Sequence, residues 1–207
     1  MKKNIDKILS LTILSIFIFA ITTTFFIEIS CPKCLKGKNE IFFGNKNALV
    51  QVVIFEDFKC KYCKDFTLLH LSDLKKNYID TNKIGYTIVP ISFICGSNNF
   101  ANAAIAIYNL KRDKFFDYLY EISKDDISIE SKEDVFKITK NISGLNHDLF
   151  MDIVKYKIFD EDLEENLKIS KSIMKRNFVV PTAYVNGHKV KMDNLNKAIE
   201  TKLNEGN

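Results

Sequence analysis

Five cysteines carry the chemistry this sequence can do: Cys31, Cys34, Cys60, Cys63 and Cys95. Four of them form two C-x-x-C pairs, and the fifth stands apart. That pattern is one of redox exchange or metal binding, not of a disulfide scaffold. In Cys60-Lys61-Tyr62-Cys63 the two thiols are spaced so that the second can attack a mixed disulfide formed at the first. A helix beginning at Cys60 would aim backbone N–H groups and the positive end of its dipole at that sulfur, favouring the thiolate. Lys59, Lys61 and Lys64 add positive charge nearby. Cys60 is therefore expected to be the nucleophile and Cys63 the resolving thiol, with Lys61, Tyr62 and Glu56 as modulating neighbours.

The flanking sequence supplies that helix start. Val50 to Phe55 is a β-branched run of the buried-strand type, and Glu56 to Lys59 is a brief connection into Cys60. From Cys60 to about Tyr78, apolar residues recur at three- and four-residue steps through Phe66, Leu74 and Tyr78. Ile84 to Val89 reads as a second strand, completing a βαβ unit. Residues 98–178 look mainly helical. Asn186-Gly187 between Ala183–Val185 and Lys189–Lys191 signals a two-residue hairpin, and Asp193 can cap a last helix carrying Leu195, Ile199 and Leu203.

The N-terminus bears on where this chemistry takes place. Lys2, Lys3 and Lys7 precede an uncharged run from Ile8 to Ile27, long enough to span a bilayer. Glu28-Ile29-Ser30 is a poor cleavage site and no lipobox precedes Cys31. An uncleaved signal-anchor in residues 1–30 is therefore expected over a cleaved signal peptide. An oxidising space outside the membrane permits disulfides. The net charge of +4 is mild and the charges are mixed along the chain, which argues against a nucleic-acid partner. Residues 31–40 form a connector with the second pair, Cys31 and Cys34, open to reading as a redox relay or a small local disulfide. Cys95 is expected to be a buried free thiol, and His70, His147 and His188 to be structural or at the surface.

Gly44-Asn45, Ala48, Val50 to Phe55, Asp57-Phe58, Cys60-Lys61-Tyr62-Cys63 and Val180-Pro181-Thr182 before Val185-Asn186-Gly187 together resemble the DsbA-type thioredoxin-like family. The resemblance implies an α/β thioredoxin-like domain over residues 41–205, with a helical insertion at about 97–160, preceded by the N-terminal anchor or signal helix. It implies that Val180-Pro181 is cis, packs beside Cys60 and receives substrate backbone. It implies disulfide formation in exported proteins without cofactor or metal. The partners would be those cysteine-bearing substrates and a membrane oxidase resembling the quinone-linked DsbB type. The expected setting is the periplasmic side of the inner membrane, or the soluble periplasm if the segment is cleaved. A monomer is expected, since residues 31–45 are too short for a dimerisation module. Reductase or isomerase activity, or copper handling by the two C-x-x-C pairs, are the alternatives. Two departures stand out. The family's buried acid six residues before the first cysteine is replaced by Ile54, with Glu56 and Asp57 expected on other faces, and the dipeptide between the cysteines is Lys-Tyr.

Overall fold

A computed structural model describes residues 35–124 and 132–205. The run Ile8 to Ile27 and the pair Cys31 and Cys34 lie outside the described residues. Among the described residues no helix is long and apolar enough to cross a membrane. The fold is thioredoxin-like, with helices inserted into it.

Among the described residues five strands form one sheet. β1 (Ile41–Gly44), β2 (Val50–Glu56) and β3 (Ile84–Pro90) precede the inserted helices, and β4 (Thr182–Val185) and β5 (His188–Val190) follow them. Their spatial order is β1-β3-β2-β4-β5. β2 and β3 run parallel, while β1 on β3, β4 on β2 and β5 on β4 are antiparallel. β1 is not among the strands read from the sequence; Ile41 is fully buried opposite Ile88. The hairpin turns through Asn186 (φ 47°) and Gly187 (φ 83°), the paired left-handed conformations that a two-residue turn demands.

Helix α1 joins β2 to β3. It begins at Lys61 and ends at Ile79, with wide π-type turns at Thr67–Leu71 and Lys75–Ile79. The insertion comprises α2 (Ser97–Leu110), α3 (Phe115–Ser123), α4 (Lys132–Thr139) and α5 (His147–Tyr156). α6 (Asp160–Met174) leads back to the sheet and α7 (Leu195–Asn204) closes the chain; it starts after a short 3₁₀ turn, and Asn194, not Asp193, occupies its cap position. Strand alternation sorts β2 between two cores. Val52 and Ile54 join Tyr86, Ile88, Phe66, Leu74 and Phe100 on one face. Val53 and Phe55 join Val89, Ile91, Met174, Tyr184 and both Cys60 and Cys63 on the other. Parallel strands covered on both faces explain why β2 and β3 read as unbroken apolar runs.

Candidate active site

Cys60 is the cap residue of α1, held in an extended conformation at φ −69°, ψ 126°. Its N–H donates to the Asp57 carbonyl at 2.9 Å, and its carbonyl accepts the Lys64 N–H at 3.0 Å. The turn is fixed from below by the fully buried Asp57 side chain. One carboxylate oxygen accepts from the Lys59 N–H at 2.9 Å. The other accepts from the Phe93 and Ile94 N–H groups at 2.9 and 3.0 Å and from the Ser97 hydroxyl at 2.9 Å. Asp57 thus ties the end of β2 to the loop after β3. Nothing in the sequence beyond its place three residues before Cys60 marks that role.

The two thiols differ in environment. Cys60 is 8% exposed and Cys63 2%. The Cys63 thiol donates to the Cys60 sulfur, and the N–H groups of Cys63 and Tyr62 also point at it. Against burial and the negative charge of Asp57, these donors lower Cys60 from 9.0 to about 6. Cys63 moves the other way. Burial pushes it far above the ordinary thiol range, and its bond to Cys60 and the charge of Glu56 add to the rise. Lys61 Nζ pairs with Asp65 at 3.1 Å, and Lys59 Nζ donates to the Cys95 carbonyl at 3.0 Å.

Glu56 corrects the sequence reading. β2 continues through it, so it shares a face with Ile54, two residues earlier. It is 1% exposed, and its Oε2 has no hydrogen-bond partner among the described residues. Burial first, then the charge of Cys60, raise its carboxyl from 4.5 to about 8. The Tyr86 hydroxyl, likewise buried and unpartnered, lies in the same electrostatic cluster; burial and the charges of Glu56 and Cys63 push it well above 10.

On the other side of the sulfur the Val180–Pro181 peptide is cis. The Val180 carbonyl accepts from Cys60 Sγ at 3.5 Å. A cleft of about 380 Å³ opens beside it, lined in part by Tyr62, Phe66, Leu69, His70, Val180 and Pro181. Tyr62 is 71% exposed at its rim, so it contributes an N–H to the sulfur and an apolar ring to the surface. Cys95 is exposed, contrary to expectation. The backbone of its loop is pinned inward by Asp57 at Phe93 and Ile94, which leaves the next side chain turned out. His70 lies against Phe66, with ring centroids 6.1 Å apart, and His188 is exposed on β5. Among the described residues no group of three His, Cys, Asp or Glu side chains could hold a metal ion.

A reactive thiol over a buried one, at the first turn of the helix after the central strand of a thioredoxin-like sheet, defines a protein thiol–disulfide oxidoreductase. The thioredoxin family model matches residues 36–204. The probable disulfide bond formation protein D of Bacillus cereus is 31% identical over 98% of this chain and 99% of its own. Two solved structures share the fold. DsbA of Chlamydia trachomatis has a TM-score of 0.70 at 23% identity, over 80% of this chain and 92% of its own. BdbD of Bacillus subtilis has a TM-score of 0.69 at 22% identity, over 81% and 94%. The chain belongs to the thioredoxin family, as a DsbA-type thiol–disulfide oxidoreductase.

Proposed function

We propose that the chain forms disulfides in exported proteins, on the outer face of the membrane that residues 8–27 would span, with Cys60 and Cys63 as its redox pair. The observation that carries the direction is the stabilised Cys60 thiolate, lowered to about 6. A dithiol stabilised in this way makes its disulfide the stronger oxidant. At pH 7 the ionisation is worth up to about RT ln 11, or 1.4 kcal/mol, which is about 30 mV for two electrons. Water around the partly open sulfur screens some of this.

The cycle follows from the two environments. A substrate thiolate attacks Cys60, the more accessible sulfur of the disulfide. The Cys60–Cys63 bond breaks, and Cys63 leaves with the electron pair. A bare thiolate there is unfavourable, and Glu56, protonated at neutral pH, is the nearby acid to supply its proton. A second substrate thiolate then attacks the substrate sulfur of the mixed disulfide. Cys60 leaves as a thiolate, and low basicity makes it a good leaving group. The substrate has lost two electrons to the pair. The Val180 carbonyl, already against the sulfur, and the apolar cleft beyond it would receive the extended substrate backbone and its side chains. Re-oxidation would fall to a membrane partner of the quinone-linked oxidase type. Mixing the oxidised chain with a reduced, unfolded two-cysteine protein tests the direction. Disulfide should appear in the substrate as thiols appear at Cys60 and Cys63; a chain that stays oxidised under those conditions is not acting as an oxidase.

A further inference from the structure

We infer that Tyr86 is a positioning residue for the exchange: through one shared buried water, its hydroxyl holds the Glu56 carboxylate that remains when Cys63 takes its proton. The inference rests on the exchange chemistry proposed above and adds to it a buried titratable side chain which that chemistry leaves unused. Among the described residues, two buried side-chain polar atoms lack a hydrogen-bond partner, Glu56 Oε2 and the Tyr86 hydroxyl. Other buried polar groups are satisfied. The Tyr118 hydroxyl donates to the Phe100 carbonyl at 3.1 Å. The Asn166 side chain accepts from the Lys38 N–H and donates to the carbonyls of Lys38 and Pro90. An orphaned buried polar group is costly, and these two are complementary, since a hydroxyl can donate and a carboxylate can only accept.

The sheet puts both on one face. Val52, Ile54 and Glu56 alternate onto that face of β2, and the parallel register sets Tyr86, Ile88 and Pro90 beside them on β3. Phe66 and Leu74 of α1 share the core of Tyr86 and Ile54, and Cys63 lies one turn before Phe66. The charges acting on the Tyr86 hydroxyl are those of Glu56 and Cys63, and Glu56 acts in turn on Cys63. The hydroxyl is therefore directed to the active-site end of the sheet. Around Glu56 the other charged groups are accounted for. Cys60 faces it from the cap of α1, Asp57 is turned to the loop after β3, and β4 presents Ala183 and Val185. A buried water takes about three polar partners. Glu56 Oε2, the Tyr86 hydroxyl and Cys63 Sγ supply them.

In the exchange the Cys60–Cys63 bond breaks, Cys63 leaves with the electron pair, and the Glu56 carboxyl gives its proton to Cys63 Sγ. A carboxylate is left where solvent does not reach. Tyr86 keeps its own proton, because burial makes it a far weaker acid than Glu56, and donates through the water to that carboxylate. A donor to the charged form strengthens the acid, so Glu56 parts with its proton more readily. Glu56 is re-protonated from solvent at the end of the turnover, and the hydroxyl is unchanged.

The test uses the full-length chain in detergent. Tyr86→Phe removes one oxygen and keeps the ring in its apolar seat. The infrared carboxyl band of Glu56, identified by its loss in Glu56→Gln, should titrate near 8 in the reduced wild type, apart from ordinary carboxyls. In Tyr86→Phe it should titrate at higher pH. Release of Cys63 in single-turnover oxidation of a dithiol substrate at pH 7 should slow by about tenfold, the scale of one hydrogen bond to a charged group. Adding Tyr86→Phe to Glu56→Gln should slow that release no further, because the hydroxyl acts through the carboxyl. A Glu56 band that titrates in Tyr86→Phe where it does in the wild type would overturn the inference, as would losses that multiply in the double variant. The infrared titration needs no substrate. A band that moves in Tyr86→Phe, in a chain that transfers no disulfide, would sink the oxidase reading and leave the link between Tyr86 and Glu56 standing.

Discussion

Replacing Glu56 with glutamine should alter the pH dependence of stability in a defined way. The folded chain holds the Glu56 carboxyl at about 8, through burial first and the charge of Cys60 second. The unfolded chain releases that proton near the ordinary value of 4.5. Below 4.5 both states are protonated and this group costs nothing. Between 4.5 and 8 the folded state holds one proton more than the unfolded state, so stability falls by about 1.4 kcal/mol per pH unit. Above 8 the whole loss, about 5 kcal/mol, is in place. Glutamine fills the same space and does not titrate. The variant should therefore gain on the wild type by about 3 kcal/mol between pH 4.5 and pH 7. A constant handicap of about 1–3 kcal/mol for a buried amide donor without an acceptor offsets part of this at every pH. Cys60 acts with the opposite sign, since its lowered folded value makes stability rise between about 6 and 9. That contribution is present in both proteins and cancels to first order in the difference. Urea denaturation of the reduced proteins at pH 5, 6 and 7 measures it. A difference that does not change with pH would refute the buried, raised carboxyl. The same variant should slow release of Cys63 in single-turnover oxidation of a dithiol substrate by about 100-fold, while alkylation of Cys60 in the reduced chain continues.

The remaining predictions concern the rest of the site. Iodoacetamide should alkylate Cys60 with a rate that rises through pH 6 and then levels, with Cys63 untouched in the folded chain; a midpoint near 9 would contradict the site electrostatics. Cys63→Ala removes the largest cause of the low Cys60 value, so the alkylation midpoint should move upward, and substrates should accumulate as mixed disulfides on Cys60. Asp57→Asn should destabilise the chain by about 3 kcal/mol in denaturant, because an amide has one acceptor oxygen where the carboxylate uses two, so its NH2 must face either the Lys59 N–H or the Phe93, Ile94 and Ser97 donors; the Cys60 midpoint should fall as a negative charge is lost. Carbonate-washed membranes should retain the full-length chain if residues 8–27 anchor it, and a soluble form beginning near Cys31 would show cleavage instead.

Much of the fold could be read from local pattern. β2 and β3 are unbroken apolar runs because parallel strands are buried on both faces, and Asn186-Gly187 marks a hairpin because few other dipeptides accept two left-handed residues. β1 was not legible: four residues of an edge strand make too short a period, and what makes Ile41 a core residue is its long-range pairing with Ile88. The site divides in the same way. The C-x-x-C spacing showed the redox pair, but which groups tune it depends on direction in space. Lys61, adjacent in sequence, turns away to Asp65, whereas Glu56 is carried under the thiols because the strand runs one residue further than its apolar letters do. Asp57 could not be assigned from sequence, since three of its four donors come from residues 93–97. The exposure of Cys95 follows from that same long-range anchoring.

The reduction potential of the Cys60–Cys63 pair tests the proposed direction most directly. Equilibration of the chain, with Cys31 and Cys34 replaced by alanine, against glutathione redox buffers at pH 7 would give it. Thioredoxin, with a nucleophile near 7, stands at about −270 mV. A nucleophile at about 6 stabilises the reduced form by about 1 kcal/mol more at pH 7, which alone lifts the potential by about 20 mV. The account predicts a value above that of thioredoxin by at least this amount. A potential at or below −270 mV would mean that the stabilised thiolate does not set the direction, and that the pair serves to reduce disulfides and not to form them.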